Sequence, residues 1–188
     1  MSIVLSDRIY TVEDYMKLDD GRRYELIGGE LILVPSPKPR HQRVANELNV
    51  ELTIYLRHNP IGEVFYDVDV HFGGEVVAPD VLFISKEKIS IIGESNIQGA
   101  PDLVVEVLSP STASIDRKKK SKLYFANGVK EYWVVAPDQQ LVEVFIAGEK
   151  EWRWIGAFDQ EDVLTTALLP GLEIRLCEVF KGIGRQEG

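Results

Sequence analysis

Two carboxylates stand where a β-strand has little use for them. Asp80 lies in the run Ala78-Pro79-Asp80-Val81-Leu82-Phe83 and Glu106 in Leu103-Val104-Val105-Glu106-Val107-Leu108, each acid set inside apolar neighbours. Asp is among the residues least favoured in strands. An ionised carboxylate buried without a partner costs several kcal/mol or is forced to neutralise. A hard divalent cation, held by carboxylates, a backbone carbonyl and waters, would compensate both acids at once if their strands are neighbours. The alternative for either acid alone is a place at a strand end or an ion pair with Arg or Lys. For the two together, that alternative demands two cations from a chain that is already acidic. Asp102 is the rival to Asp80, because it shares a strand face with Val104 and Glu106. Four strand residues span about 13 Å, too far for both ends to hold one ion, so Asp80 is the better partner for Glu106.

Hydrolysis of a phosphodiester also calls for a cation near the developing charge. Arg117, Lys118, Lys119, Lys120 and Lys122 form the one basic cluster in the chain. Such a run read alone is a solvated helix face. On a helix, however, Asp116, Lys120, Leu123 and Tyr124 fall on adjoining turns, which sets Lys120 at the border of the packed face and Lys118 and Lys122 further out. There Lys120 could orient an attacking water and offset phosphate charge; the plainer reading is a lysine snorkelling along a helix edge. Glu25 either adds a further catalytic carboxylate or caps a neighbouring backbone amide. His41, opening a helix after a proline loop, reads as a surface cap ahead of a ligand, and His58 and His71 have no partner at metal-binding spacing. Trp133, Trp152 and Trp154 read as core and hairpin packing rather than a base-stacking platform. Phosphate-loop, dinucleotide-glycine and serine-elbow patterns do not occur.

The chain has 188 residues, 45% hydrophobic and 27% charged, with a formal net charge of −9. That balance argues against a whole-surface grip on nucleic acid, since phosphate affinity comes from Lys and Arg. Any such contact must be local. No secretory start and no apolar stretch of roughly 20 residues is present, so a soluble cytoplasmic protein away from membranes is expected. Cys177 is the only cysteine. It excludes an internal disulfide and a thiolate zinc site, and beside Leu176 and Val179 it reads as core filling.

These side chains need a scaffold. Thr11 followed by Glu13 and Asp14 predicts a capped helix to about Leu18. Tyr24–Ile27 and Glu30–Val34 flank Gly28-Gly29 as a hairpin, and Pro35, Pro37 and Pro39 break the chain. Val44, Leu48, Leu52, Tyr55 and Leu56 mark an amphipathic helix over 41–58, the longest. Three strands are expected next, over 63–72, 76–84 and 102–108, the first two joined at Gly73-Gly74 and the last buried on both faces. A loop or short helix fills 85–99. A helix from about Ile115 to Asn127, capped by Ser114 or Thr112 and closed by Gly128, precedes a buried strand at Tyr132–Val135. A hairpin over 141–146 and 152–157 follows, and Val179-Phe180 closes the core.

The runs Gly99-Ala100-Pro101-Asp102 through Ser111-Thr112, with Asp116, Lys120, Tyr124 and Gly128-Val129-Lys130-Glu131-Tyr132-Trp133-Val134-Val135, resemble the Uma-type family of restriction-endonuclease-like proteins. Tyr24-Glu25-Leu26-Ile27-Gly28-Gly29-Glu30-Leu31, His41 and Ala78-Pro79-Asp80 match it as well, so the likeness covers nearly the whole chain. The family is similar to the PD-(D/E)XK nucleases. The resemblance implies an α/β fold with a mixed sheet (α+β) and an α-β-β-β-α-β core with flanking hairpins. One domain is expected, with a helix and hairpin over 1–40, the nuclease-like core over 41–136 and C-terminal hairpins and tail over 137–188. It further implies that Asp80 and Glu106 ligate Mg²⁺ or Mn²⁺, with the Val107 carbonyl as third ligand. Leu108 stands where the superfamily has lysine, and Lys120 on the following helix is the matching position. The implied activity is metal-dependent endonucleolytic cleavage of DNA with a metal-bound water as nucleophile, by a homodimer that addresses two strands. The alternative is a non-catalytic interaction or structural module that keeps the fold.

Overall fold

A pair of interruptions, at residues 67–69 and 78–80, divides the chain between two sheets. The structure is a computed structural model, and it describes residues 8–109 and 116–184. Thr11 caps α1 (Val12–Met16), accepting from the Asp14 amide while the Asp14 carboxylate accepts from the Thr11 amide. The two acids of its first turn favour the positive helix end. β1 (Arg23–Ile27) and β2 (Glu30–Val34) form the expected hairpin, with Ile27 opposite Glu30. Gly28 and Gly29 take φ of 62° and 73°, the left-handed pair that a two-residue turn needs. α2 (Pro39–His58) buries Val44, Ala45, Leu48, Leu52 and Leu56.

The strands expected over 63–72 and 76–84 are each broken in two, a correction to the sequence reading. The first gives β3 (Gly62–Tyr66) and β4 (Val70–Phe72); the second gives β5 (Glu75–Val77) and β6 (Val81–Ser85). β4 and β5 pair about Gly73-Gly74, whereas β3 and β6 pair in the other sheet. Asp67 turns the chain at a φ of 54°, and Pro79 brings no amide to continue a ladder. Apolar patterning runs unbroken through both bends, so it reveals length and not direction. Asp80 thus stands at a bend just before β6 and not within a strand.

A short 3₁₀ helix (Lys86–Ile91) and β7 (Ile97–Gln98) lead to β8 (Leu103–Val107). A π-helical turn (Asp116–Lys120) runs into α3 (Ser121–Ala126), which crosses over to β9 (Glu131–Ala136), parallel to β8. Gly128 ends this helix at a φ of 86°. The proposed caps Thr112 and Ser114 lie outside the described residues. β10 (Leu141–Ala147) and β11 (Trp152–Asp159) form the last hairpin; β12 (Val163–Leu164), β13 (Ile174–Arg175) and α4 (Leu176–Val179) follow.

The larger sheet has the order β11-β10-β9-β8-β6-β3 and the smaller β2-β1-β5-β4-β7, both mixed. Together with α2 and α3, the strands β3, β6, β8 and β9 supply the α-β-β-β-α-β order. Alternation buries both faces of the larger sheet. Val81, Phe83, Leu103, Val105 and Val135 pack towards α2. Leu82, Ile84, Val104, Tyr132 and Val134 pack towards α3 and the smaller sheet. Val179 and Phe180 close the first of these cores. Cys177 is exposed, against the expectation of core filling, because Leu176 and Val179 take the buried side of α4. Trp133 is buried, Trp152 packs edge-on against Phe125, and Trp154 is exposed. No helix among the described residues is long and apolar enough to cross a membrane.

Candidate active site

β6 and β8 run antiparallel with Val81 opposite Val105 and Leu82 opposite Val104. Asp80 directly precedes this paired stretch, at the end of β6 that lies beside the Glu106-Val107 end of β8. The bend at Pro79 frees Asp80 from the ladder, and its Oδ2 accepts the Val107 amide at 2.7 Å. His41 Nε2, from the first turn of α2, lies 3.3 Å from the same oxygen.

Glu106 is only 3% exposed. Both its oxygens lie 3.1 Å from Lys120 Nζ, and Oε1 also accepts the Tyr124 hydroxyl. Lys120 and Tyr124 are one helical turn apart, so one face presents both donors to one acid. Glu25, on β1, places Oε1 2.7 Å from the same ammonium and accepts the Ala78 amide at 3.2 Å. The chain has thus carried Glu25 both to the site and to a backbone amide. Burial, then the charges of Glu106 and Glu25, hold the Tyr124 hydroxyl well above its usual pKa, which keeps it a neutral donor.

Glu25, Asp80, Glu106 and Lys120 wall a cavity of about 150 Å³ that also touches His41, Val107 and the proline loop. Glu25, Asp80 and Glu106 lie on one cavity wall, and the Lys120 ammonium pairs with Glu25 and Glu106. All three offer hard oxygen donors, the set a Mg²⁺- or Mn²⁺-sized ion prefers. Among the described residues, no group of three or more His, Cys, Asp or Glu side chains is already placed to hold a metal ion.

Comparison with known proteins gives this arrangement a lineage. A family model described as "Uma2: Putative restriction endonuclease" matches residues 12–177. The chain belongs to the Uma2 family. A Synechocystis sp. protein named "Uncharacterized protein sll1609" is 25% identical, over 81% of this chain and 89% of its own length. A crystal structure from Anabaena variabilis, described as a putative nuclease belonging to DUF820, aligns at a TM-score of 0.75 and 22% identity. It covers 90% of this chain and 97% of its own, and shares its fold.

Within this Uma2 chain the acids and the lysine singled out by sequence come together, and His41 joins them. The helix begins two residues before His41, at Pro39, with Lys38 as N-cap and no side-chain cap. His41 is therefore turned inward, 14% exposed, and is not the surface cap expected. Tyr124 was legible only as a residue on the packed helix face. Asp102 lies at the other end of β8, held by Lys130 Nζ at 2.7 Å, Lys88 Nζ at 3.4 Å and the Ser85 amide at 2.8 Å. Burial pushes its pKa up, but the bond from Lys130 and those from Ser85 outweigh it and leave the carboxyl below its usual range. Glu131, which sequence reading passed over, is buried in β9 and accepts from Trp133 Nε1 and Thr166 Oγ1, both at 2.6 Å. Burial raises its pKa. Lys118 and Lys122 are exposed as expected, and Lys119 is exposed as well.

Proposed function

We propose that this protein is a metal-dependent endonuclease that hydrolyses phosphodiester bonds, in DNA by preference. One observation carries the reading: Asp80, at the bend before β6, and Glu106 on β8 line one cavity together with Lys120. Asp80 and Glu106, with the Val107 carbonyl, would hold Mg²⁺ or Mn²⁺. When bound, such an ion lowers the pKa of water and neutralises charge on the phosphoryl oxygens.

The side chains divide the remaining work. Val107 and His41 fix Asp80 from two directions, so that its second oxygen keeps one orientation towards the cavity. Tyr124 and Lys120 fix Glu106. Lys120, placed between two carboxylates, would offset the charge that builds on the phosphorane oxygens. Glu25 holds Lys120 in place and is the further carboxylate that could take a proton from the attacking water. Cutting both strands of a duplex would take two copies, and a homodimer is the assembly proposed for that task.

A second reading is favoured by one feature. Lys120 already pairs with Glu25 and Glu106, so the acids could be satisfied within a non-catalytic interaction module. Nicking of supercoiled plasmid DNA with and without Mg²⁺ separates the two. The nuclease reading expects Mg²⁺-dependent nicking that Asp80→Ala and Glu106→Ala lose while remaining folded by circular dichroism. Equal cleavage by all three proteins would leave the module reading in possession.

A further inference from the structure

The proline loop contributes five consecutive residues, Val34 to Lys38, to the lining of the acidic cavity. Pro35, Pro37 and Pro39 each fix φ, and a residue that precedes proline is confined to extended backbone. Lys38, before Pro39, is extended, with a φ of −73° and a ψ of 155°. The loop therefore has little backbone freedom left to lose when a ligand settles against it.

Four basic side chains line this cavity: Arg23, Lys38, His41 and Lys120. Three of them are committed to acids. Arg23 is paired with Asp67, His41 lies against Asp80, and Lys120 is paired with Glu25 and Glu106. Lys38 has no acidic partner among the described residues. It is exposed, whereas Lys120 is buried, so Lys38 is the cation that a strand arriving from solvent meets first. The acids of the cavity, Glu25, Asp67, Asp80 and Glu106, repel a phosphodiester, and an anchor for one must come from a cation that they have not claimed. Lys38 is also the N-cap of α2, whose first turn holds no acid and whose end has no side-chain cap. The positive end of that helix therefore adds to the charge of the lysine, whereas Glu13 and Asp14 balance the end of α1.

We infer that Lys38 is the substrate anchor of this cavity, its ammonium holding a non-bridging oxygen of the phosphate next to the scissile one. The inference rests on the nuclease reading and adds to it a residue outside the acid and lysine set. Lysine suits the task as a point charge on a flexible stem, able to meet the backbone whatever the bases. The contact is made alike in substrate and transition state, so it belongs to KM and leaves kcat alone.

Plasmid-nicking kinetics in Mg²⁺, with fluorescence anisotropy of a fluorescein-labelled DNA duplex in Ca²⁺, test it. Lys38→Ala should raise KM about tenfold, the scale of one charge-assisted hydrogen bond, with kcat kept within about twofold. It should also lower the logarithmic salt slope of binding by about one. Lys38→Arg should restore both. Lys86→Ala, which removes an equal charge from an exposed position just past the other end of β6, should match the wild type. An unchanged KM and salt slope in Lys38→Ala, a loss carried by kcat, or an equal loss in Lys86→Ala overturns the anchor, while wild-type nicking still upholds the nuclease. Binding without nicking by the wild type, with the slope lowered in Lys38→Ala, keeps Lys38 as a phosphate anchor and strikes the nuclease reading. A wild type that neither binds nor nicks strikes the two together.

Discussion

The two ends of β8 each bury an acid on the same face, and they treat it in opposite ways. Asp102 is fully buried, yet its cations reach it from outside: Lys130 is 58% exposed and Lys88 28%. The Ser85 backbone amide donates to it as well. Glu106 meets a lysine as buried as itself, and that lysine is shared with Glu25. One end gives a single acid two lysines, and the other gathers Glu25, Asp80 and Glu106 on the wall of one cavity. A buried acid alone therefore says little about function. Several acids gathered beside accessible space are the informative sign.

The largest expected contrast is catalytic. Asp80→Ala or Glu106→Ala should lower nicking by about a thousandfold or more, equivalent to roughly 4 kcal/mol, while Asp102→Asn keeps the activity of its folded fraction. Loss of activity from Asp102→Asn at full folding would erase the distinction between the ends.

Next comes stability at the Glu106 end. Lys120→Ala leaves Glu25 and Glu106 without their shared cation and should cost about 3–5 kcal/mol in urea unfolding. A cost below about 1 kcal/mol would mean that the acids find another partner.

The Asp102 end should show a smaller effect with a defined pH course. Asp102→Asn is expected to cost about 1–3 kcal/mol near neutral pH. The folded carboxyl has its pKa below the ordinary 3.8, so its stabilisation is present above that value and is lost as pH falls through the folded pKa. Unfolding midpoints of wild type and variant should converge below about pH 4. A constant gap down to pH 2 would contradict this.

The smallest effect belongs to the residue beside Lys120. Lys119 points to solvent and pairs with Glu30, so Lys119→Ala should change stability by no more than about 1 kcal/mol. Adjacent lysines with costs of similar size would mean that the helix does not separate an outer from an inner face.

Much of this contrast was legible in the sequence. Acids inside apolar runs stand out because propensity disfavours them, and a three-to-four-residue period placed Lys120 on the inner border. The bends at 67–69 and 78–80 were hidden, since strand pairing in two different sheets is a long-range choice that local pattern does not encode. His41 was misread because Pro39 starts the helix earlier than its apolar stripe, which turns the histidine inward. Tyr124 looks like ordinary core filling until its hydroxyl meets Glu106. Cys177 failed in the opposite sense: its apolar neighbours are buried, but a four-residue helix has only one buried side.

Diffraction at the manganese absorption edge, from crystals soaked in Mn²⁺, tests the Glu106 end most directly. An anomalous peak between Asp80 and Glu106 that disappears in Glu106→Gln is the expected result. A saturating soak with no peak there, or one at Asp102 instead, would contradict it.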